Sequence, residues 1–94
     1  MMKLMNTRLT GQQFAQAENI LMEELDARRE QLPPEARLVE DLGADSLTLV
    51  QIAMRMEDCF SITLPEEITE QVVTVEKLYD ALATRLGQQD DERL

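Results

Sequence analysis

Two consecutive prolines, Pro33 and Pro34, interrupt a chain whose apolar residues otherwise recur at helical spacing. Proline lacks a backbone N–H and its ring clashes with the preceding helical turn, so a helix cannot continue through the pair. The sequence therefore predicts a first helix that ends by about Leu32 and a loop over residues 33–44. Three apolar residues should attach this loop to the core: Leu38, Val39 and Leu42.

A strong start signal marks the beginning of the first helix. Thr10 is the candidate N-cap, and Gln13 completes a capping box with it. Leu9 and Phe14 stand at the two positions of a hydrophobic staple. Apolar residues with a helical period then follow: Ala17, Ile20, Leu21 and Leu25. This pattern predicts a helix that packs one face against the rest of the chain.

A second helix should begin at Asp45 or Ser46 and end at about Phe60. Asp45 suits the N-cap because its carboxylate accepts from free backbone N–H groups and favours the positive end of the helix. The apolar surface of this helix is wide, so the helix either packs on more than one side or keeps apolar residues for a partner. Over the whole chain, the residues expected to point inward are Leu25, Leu49, Val50, Ile52, Ala53, Met56, Leu78 and Leu82.

Two further helices are predicted towards the C-terminus. Pro65 is well placed as the first residue of a short third helix that reaches about Gln71. Thr74 should cap a fourth helix, and Gly87 should end it. The predicted fold is therefore all-α, a four-helix bundle of three main helices plus one short helix.

Length and charge limit the possible organisation and partners. A chain of 94 residues predicts one small domain, here residues 10–87, with an N-terminal extension over 1–9 and a flexible tail over 88–94. The formal net charge of −10 excludes nucleic acid and anionic membrane surfaces as partners, and no segment is apolar enough to insert into a membrane. Cys59 is the only cysteine and cannot form an internal disulfide, which fits a reducing, cytoplasmic compartment, and we expect it to be a small apolar filler. We also expect a monomer.

Ser46 lies where the long loop meets the second helix, in the stretch GADSL. A nucleophilic serine needs a general base, and the chain contains no histidine, which excludes a Ser–His–Asp triad. A pair with Lys3 or Lys77 is possible in principle, but no pattern brings either lysine near Ser46. Two interpretations remain: an ordinary capping serine, or a serine that another enzyme modifies with a phosphate-linked group.

Residues 38–78 resemble acyl carrier proteins of the bacterial fatty-acid and polyketide type. The resemblance rests on LGADSL, on FSITLPEE and on TVEKL at the expected distance. It implies a four-helix, acyl-carrier-like bundle that is not itself an enzyme. It also implies that Ser46 carries a 4′-phosphopantetheine arm, attached by a phosphopantetheinyl transferase, with acyl groups held on the arm as thioesters. No metal site is expected.

The same resemblance implies a docking surface on the second helix. Acidic residues predominate from Leu38 to Gln71, which favours steering towards basic docking patches on acyltransferases, ligases or ketosynthases. The alternative is an acidic surface that only keeps the protein soluble. The residues that match partner-facing positions of the family, together with the expected cap, are Asp45, Leu47, Thr48, Gln51, Met54, Glu57 and Asp58.

Three positions depart from the pattern of fatty-acid carriers. Thr48 and Gln51 stand where such carriers commonly have acidic residues, and Arg55 adds a positive charge to the same stripe. These differences favour a dedicated carrier for a particular pathway. The alternatives are an aminoacyl or aryl carrier of nonribosomal synthesis, and an unmodified helical adaptor that kept the fold.

Overall fold

Residues 9–70 and 73–93, which the computed structural model describes, contain three α-helices: α1 over Gly11–Leu25, α2 over Ser46–Phe60 and α3 over Val75–Arg93. Two short 3-10 helices, Arg29–Gln31 and Glu66–Thr69, lie in the connections. The predicted all-α bundle of three main helices plus one short helix is confirmed, with the short element being 3-10. None of the helices in the described part of the chain is long and apolar enough to cross a membrane.

The start of α1 is confirmed, but its predicted end is wrong. The Thr10 hydroxyl accepts the Gln13 N–H at 3.1 Å, and the Gln13 side chain accepts the Thr10 N–H at 2.9 Å, which completes the capping box. The helix ends at Leu25, well before the prolines, because Asp26 adopts the left-handed conformation at φ 54° and donates its N–H to Met22. Aspartate tolerates this conformation better than most residues, so no glycine is needed to close the helix.

The predicted span of α2 is confirmed at both ends, with Asp45 as N-cap and Phe60 as the last residue. Pro65 is the N-cap of the second 3-10 helix rather than the first residue of an α-helix, and the predicted end at Gln71 lies outside the described residues. Thr74 caps α3 by accepting the Lys77 N–H at 3.1 Å.

Gly87 does not end α3, because the helix continues to Arg93. A glycine inside a helix costs only about 1 kcal/mol relative to alanine, which the hydrogen bonds of the neighbouring turns outweigh. Residues 88–93 are therefore helical, and the flexibility expected of the tail stays a prediction.

The core lies where α1, α2 and α3 meet, and α1 packs directly along α2. Of the residues expected to point inward, five are buried: Leu49, Ile52, Met56, Leu78 and Leu82. Leu25 and Ala53 are partly buried against this core. The prediction for Val50 is wrong, since 42% of the residue is exposed on the outer face of α2.

Backbone hydrogen bonds attach the long loop to the start of α3. Leu38 donates to the Val73 carbonyl at 3.0 Å, Val75 donates to Ala36 at 2.9 Å, and Glu76 donates to Pro34 at 2.9 Å. Leu38 is fully buried, while Val39 and Leu42 pack against the core as expected. The first half of the loop is thus held against the start of α3, and its last residues lead into the N-terminus of α2.

Candidate functional site

The turn before α2 has a defined backbone path. Gly43 adopts φ 78°, a left-handed conformation that glycine takes without strain. The next residue, Ala44, is buried and donates its N–H to the Leu38 carbonyl at 2.8 Å. These two constraints place Ser46 as the first residue of α2, where its side chain is exposed to solvent.

Asp45, and not Ser46, caps α2. One oxygen of the Asp45 carboxylate accepts both the backbone N–H and the hydroxyl of Thr48, each at 2.8 Å. The backbone hydrogen bond from Thr48 is the largest of the contacts that lower the pKa of Asp45, followed by the bond from the Thr48 hydroxyl. The cap is therefore ionised at neutral pH, and the Thr48 hydroxyl is occupied by it.

The Ser46 hydroxyl has no hydrogen-bond partner among the described residues. It stands at the positive end of the α2 dipole, where an attached phosphate would be favoured. The adjoining turn leaves room as well, since a Cβ added to Gly43 would meet no atom within 4 Å. The chain has no histidine to act as a base, and its described residues contain no cluster of three or more side chains that could hold a metal ion. The site therefore suits a serine that is modified by another protein.

An exposed apolar ridge begins directly after Ser46. Leu47, Val50 and Met54 share one face of α2 and are 64%, 42% and 59% exposed, respectively. These three residues are called the α2 ridge below. The sequence predicted Leu47 and Met54 as partner residues, and the structure adds Val50 to the same face.

The other predicted partner residues divide into two groups. Gln51 and Asp58 are exposed on α2 and free to contact a partner. Glu57 instead accepts the backbone N–H of Leu64 at 2.9 Å, in a partly buried hydrogen bond that fastens the end of α2 to the following link. Its carboxylate therefore supports the fold.

Arg55 joins α2 to α1 through two ion pairs that the sequence analysis missed. Its Nη2 lies 2.9 Å from Glu23, and its Nη1 lies 3.0 Å from Glu24. The hydrogen bond to Glu24, followed by that to Glu23, raises the pKa of the guanidinium. One indication of these ion pairs is present in the sequence. Arg55 is a single base in an acidic stretch, and the preceding helix contains the adjacent pair Glu23 and Glu24.

Cys59 is exposed, so its predicted role as an apolar filler is wrong. It lies in an open groove of about 450 Å³ between α1 and α2, which Glu23, Arg55 and Asp58 also line. Cys59 follows Ile52 by seven positions on α2, so it continues the side of the helix that faces α1, at the point where the groove opens to solvent.

Comparison with known proteins identifies the family. Residues 15–82, a range that includes Ser46, match the family described as "Phosphopantetheine attachment site". An acyl carrier protein of Syntrophobacter fumaroxidans is 40% identical over 65 residues, which are 69% of this chain and 80% of that relative. The chain belongs to the acyl carrier protein family.

Acyl carrier proteins are carriers rather than enzymes, and they use a 4′-phosphopantetheine prosthetic group. The exposed serine at a helix N-terminus fits such a group, because the family needs an accessible attachment point and a phosphate is favoured there. Carrier proteins in general interact with phosphopantetheinyl transferases and with biosynthetic enzymes. The unmodified adaptor is thereby set aside.

Proposed function

We propose that Ser46 is the residue that carries the 4′-phosphopantetheine arm, and that the protein presents acyl thioesters to the enzymes of one dedicated pathway. The observation that carries this proposal is the exposed Ser46 hydroxyl, which has no partner among the described residues because Asp45 serves as the helix cap. A capping hydroxyl would have to give up a hydrogen bond before it could be modified, whereas Ser46 gives up only water.

The attachment step needs nothing from this chain beyond the serine oxygen. Ser46 Oγ bonds to the phosphorus of coenzyme A that bears the pantetheine, the pyrophosphate bond breaks, and adenosine 3′,5′-bisphosphate leaves. A base of the transferase would accept the hydroxyl proton, because the chain has no histidine and the neighbouring Asp45 carboxylate is engaged by Thr48. Afterwards α2 holds the phosphodiester at its positive end, and the bound arm supplies the thiol that carries cargo.

The α2 ridge would be the centre of partner docking. Leu47 and Met54 supply exposed apolar area close to the attachment point, and Gln51 and Asp58 supply polar contacts at the border. An apolar cleft on the partner would cover the ridge, while basic residues around that cleft would meet Asp58 and the wider acidic surface.

The uncharged residues on this face support a dedicated pathway. Thr48 contributes no charge and its hydroxyl is held by Asp45, and Gln51 is also neutral. An enzyme that recognises carboxylates at both positions would find neither, so it would bind this carrier weakly. Intact mass analysis of the protein from its native host would read the cargo directly and distinguish an acyl group from an aminoacyl or aryl group.

The attachment residue is tested with a fluorescent coenzyme A analogue and a broad-specificity phosphopantetheinyl transferase. Ser46→Ala should fold normally, as judged by circular dichroism, and accept no label. The chain offers one matched control, since Ser61 is its other serine and adopts the left-handed conformation at φ 56°, which asparagine tolerates. Ser61→Asn should be labelled fully. Full labelling of Ser46→Ala would overturn the assignment.

A further inference from the structure

Arg55 stands at the border of the α2 ridge and differs from its surroundings in charge. It is the only basic residue between Leu38 and Gln71. It follows Met54 directly and lies one helical turn after Gln51, so a partner seated on the ridge would come close to it. A basic residue is unusual on an acidic docking face, and the ion pairs that Arg55 makes with α1 show what its charge does there.

The Arg55 side chain spans the gap to α1 and binds two carboxylates there. Contacts of 2.9 Å to Glu23 and 3.0 Å to Glu24 engage both terminal nitrogens of the guanidinium. The Glu23 side chain is 65% exposed and the Arg55 side chain is 42% exposed, so this ion-pair cluster is part of the surface that partners meet. Each carboxylate meets one terminal nitrogen of the guanidinium, so the two contacts together hold the Arg55 side chain towards α1.

The consequence is that Arg55 offsets part of the negative charge that Glu23 and Glu24 place on α1. Without Arg55, Glu23 would add to Asp58 along the groove between α1 and α2, and the carboxylate of Glu24 beside it would also be unpaired, which would make that border more acidic. With Arg55 in place, one of these three negative charges is offset and the border is less acidic. An enzyme with an all-basic docking patch gains less from this border, because Arg55 holds the carboxylates of Glu23 and Glu24 on itself.

We infer that Arg55 is a specificity-determining residue. By pairing with Glu23 and Glu24, it makes their carboxylates less available to basic groups of a partner. Docking is thereby restricted to partners that bind the apolar α2 ridge and carry few basic groups themselves. This inference rests on the proposed docking function of α2. The partner that fits this surface has an apolar cleft whose rim carries fewer basic groups on the side that faces α1 than on the other sides.

The test uses an acyltransferase of bacterial fatty-acid synthesis that is chosen because it has a basic docking patch. Calorimetry measures the dissociation constant of its complex with the carrier, which is used in its unmodified form. Arg55→Met removes the charge and keeps an apolar stem, and Arg55→Gln serves as the second charge-removing variant. Each should bind this enzyme about two- to fivefold more tightly than the parent, as expected for exposed ion pairs. Arg28→Met is the matched control, because it changes the net charge equally at an exposed residue that pairs with Glu30 away from α2.

A double-mutant cycle then separates masking from the charge of Arg55 itself. In a protein that carries Glu23→Gln and Glu24→Gln, the gain from Arg55→Met should largely disappear, since there are no carboxylates left to unmask. An undiminished gain in that background, or an equal gain from Arg28→Met, would overturn the inference. Circular dichroism confirms that each variant is folded. Labelling at Ser46 is measured separately, so its failure would refute the attachment site while the binding data still decide the role of Arg55.

Discussion

Removal of the Glu57 carboxylate is expected to destabilise the protein through one hydrogen bond. Glu57 accepts the Leu64 N–H at 2.9 Å, and Leu64 is only 7% exposed. Glu57→Ala leaves that N–H without its acceptor in a site that water reaches poorly, at a cost of about 2 kcal/mol. For a domain of this size, such a loss corresponds to a melting temperature lower by roughly 8–16 °C. Alanine is the better helix former, so the measured loss would underestimate the cost of the missing bond by a few tenths of a kcal/mol.

Glu57→Gln distinguishes a fold-supporting role from a docking role. Glutamine keeps a carbonyl oxygen that can accept the same N–H, so its unfolding free energy should stay within about 1 kcal/mol of the parent. Both variants remove the charge, and a residue that acted only by steering partners would slow association equally in both. The assay is urea unfolding of the unmodified protein, with Asp58→Asn as a control at an exposed neighbour. The reasoning would be refuted by a Glu57→Ala variant as stable as the parent, or by a Glu57→Gln variant that loses as much stability as Glu57→Ala.

Three further outcomes follow from the structure. The pKa of Asp45 is lowered in the folded state, so the stability it contributes is present above its unfolded pKa of about 3.9 and is lost as pH falls through the lower folded pKa. Acid unfolding curves of the parent and of Asp45→Asn should therefore converge at low pH, and a constant offset would contradict this. Burial, with a smaller effect of Glu18, raises the pKa of Tyr79 to about 12, so its tyrosinate absorbance should appear near pH 12 in the folded protein and near 10 in urea. The unfolded chain loses this proton at a lower pH than the folded protein, so the free energy of unfolding falls as pH rises from about 10 to about 12. A titration midpoint of Tyr79 near 10 in the folded protein would show that the ring is solvated. A medium-length acyl chain should raise the melting temperature of the arm-bearing protein, because each methylene that it buries contributes up to ~0.8 kcal/mol before the cost of opening the core. Ala53→Phe should reduce this gain. Equal melting temperatures across acyl-chain lengths would show that the acyl chain stays in solvent.

Local hydrogen bonds made much of the fold predictable from sequence. The capping box of Thr10 and Gln13, the Asp45 cap and the Thr74 cap each join residues three apart, so the sequence already contains both partners of each bond. The position of Ser46 at the start of α2 could be predicted for the same reason. The family resemblance then supplied the prosthetic group, which no local pattern specifies.

Tertiary structure decided the features that depend on residues distant in sequence. Arg55 binds a carboxylate of Glu24 that lies 31 positions away, and Glu57 finds its N–H donor seven positions on, past the end of α2. Val50 is exposed although its residue type suits a core, because the buried side of α2 is set by where α1 and the 3-10 helix Glu66–Thr69 pack. A helical pattern states which residues share a face, but only the neighbouring helices determine which part of a wide apolar face is covered.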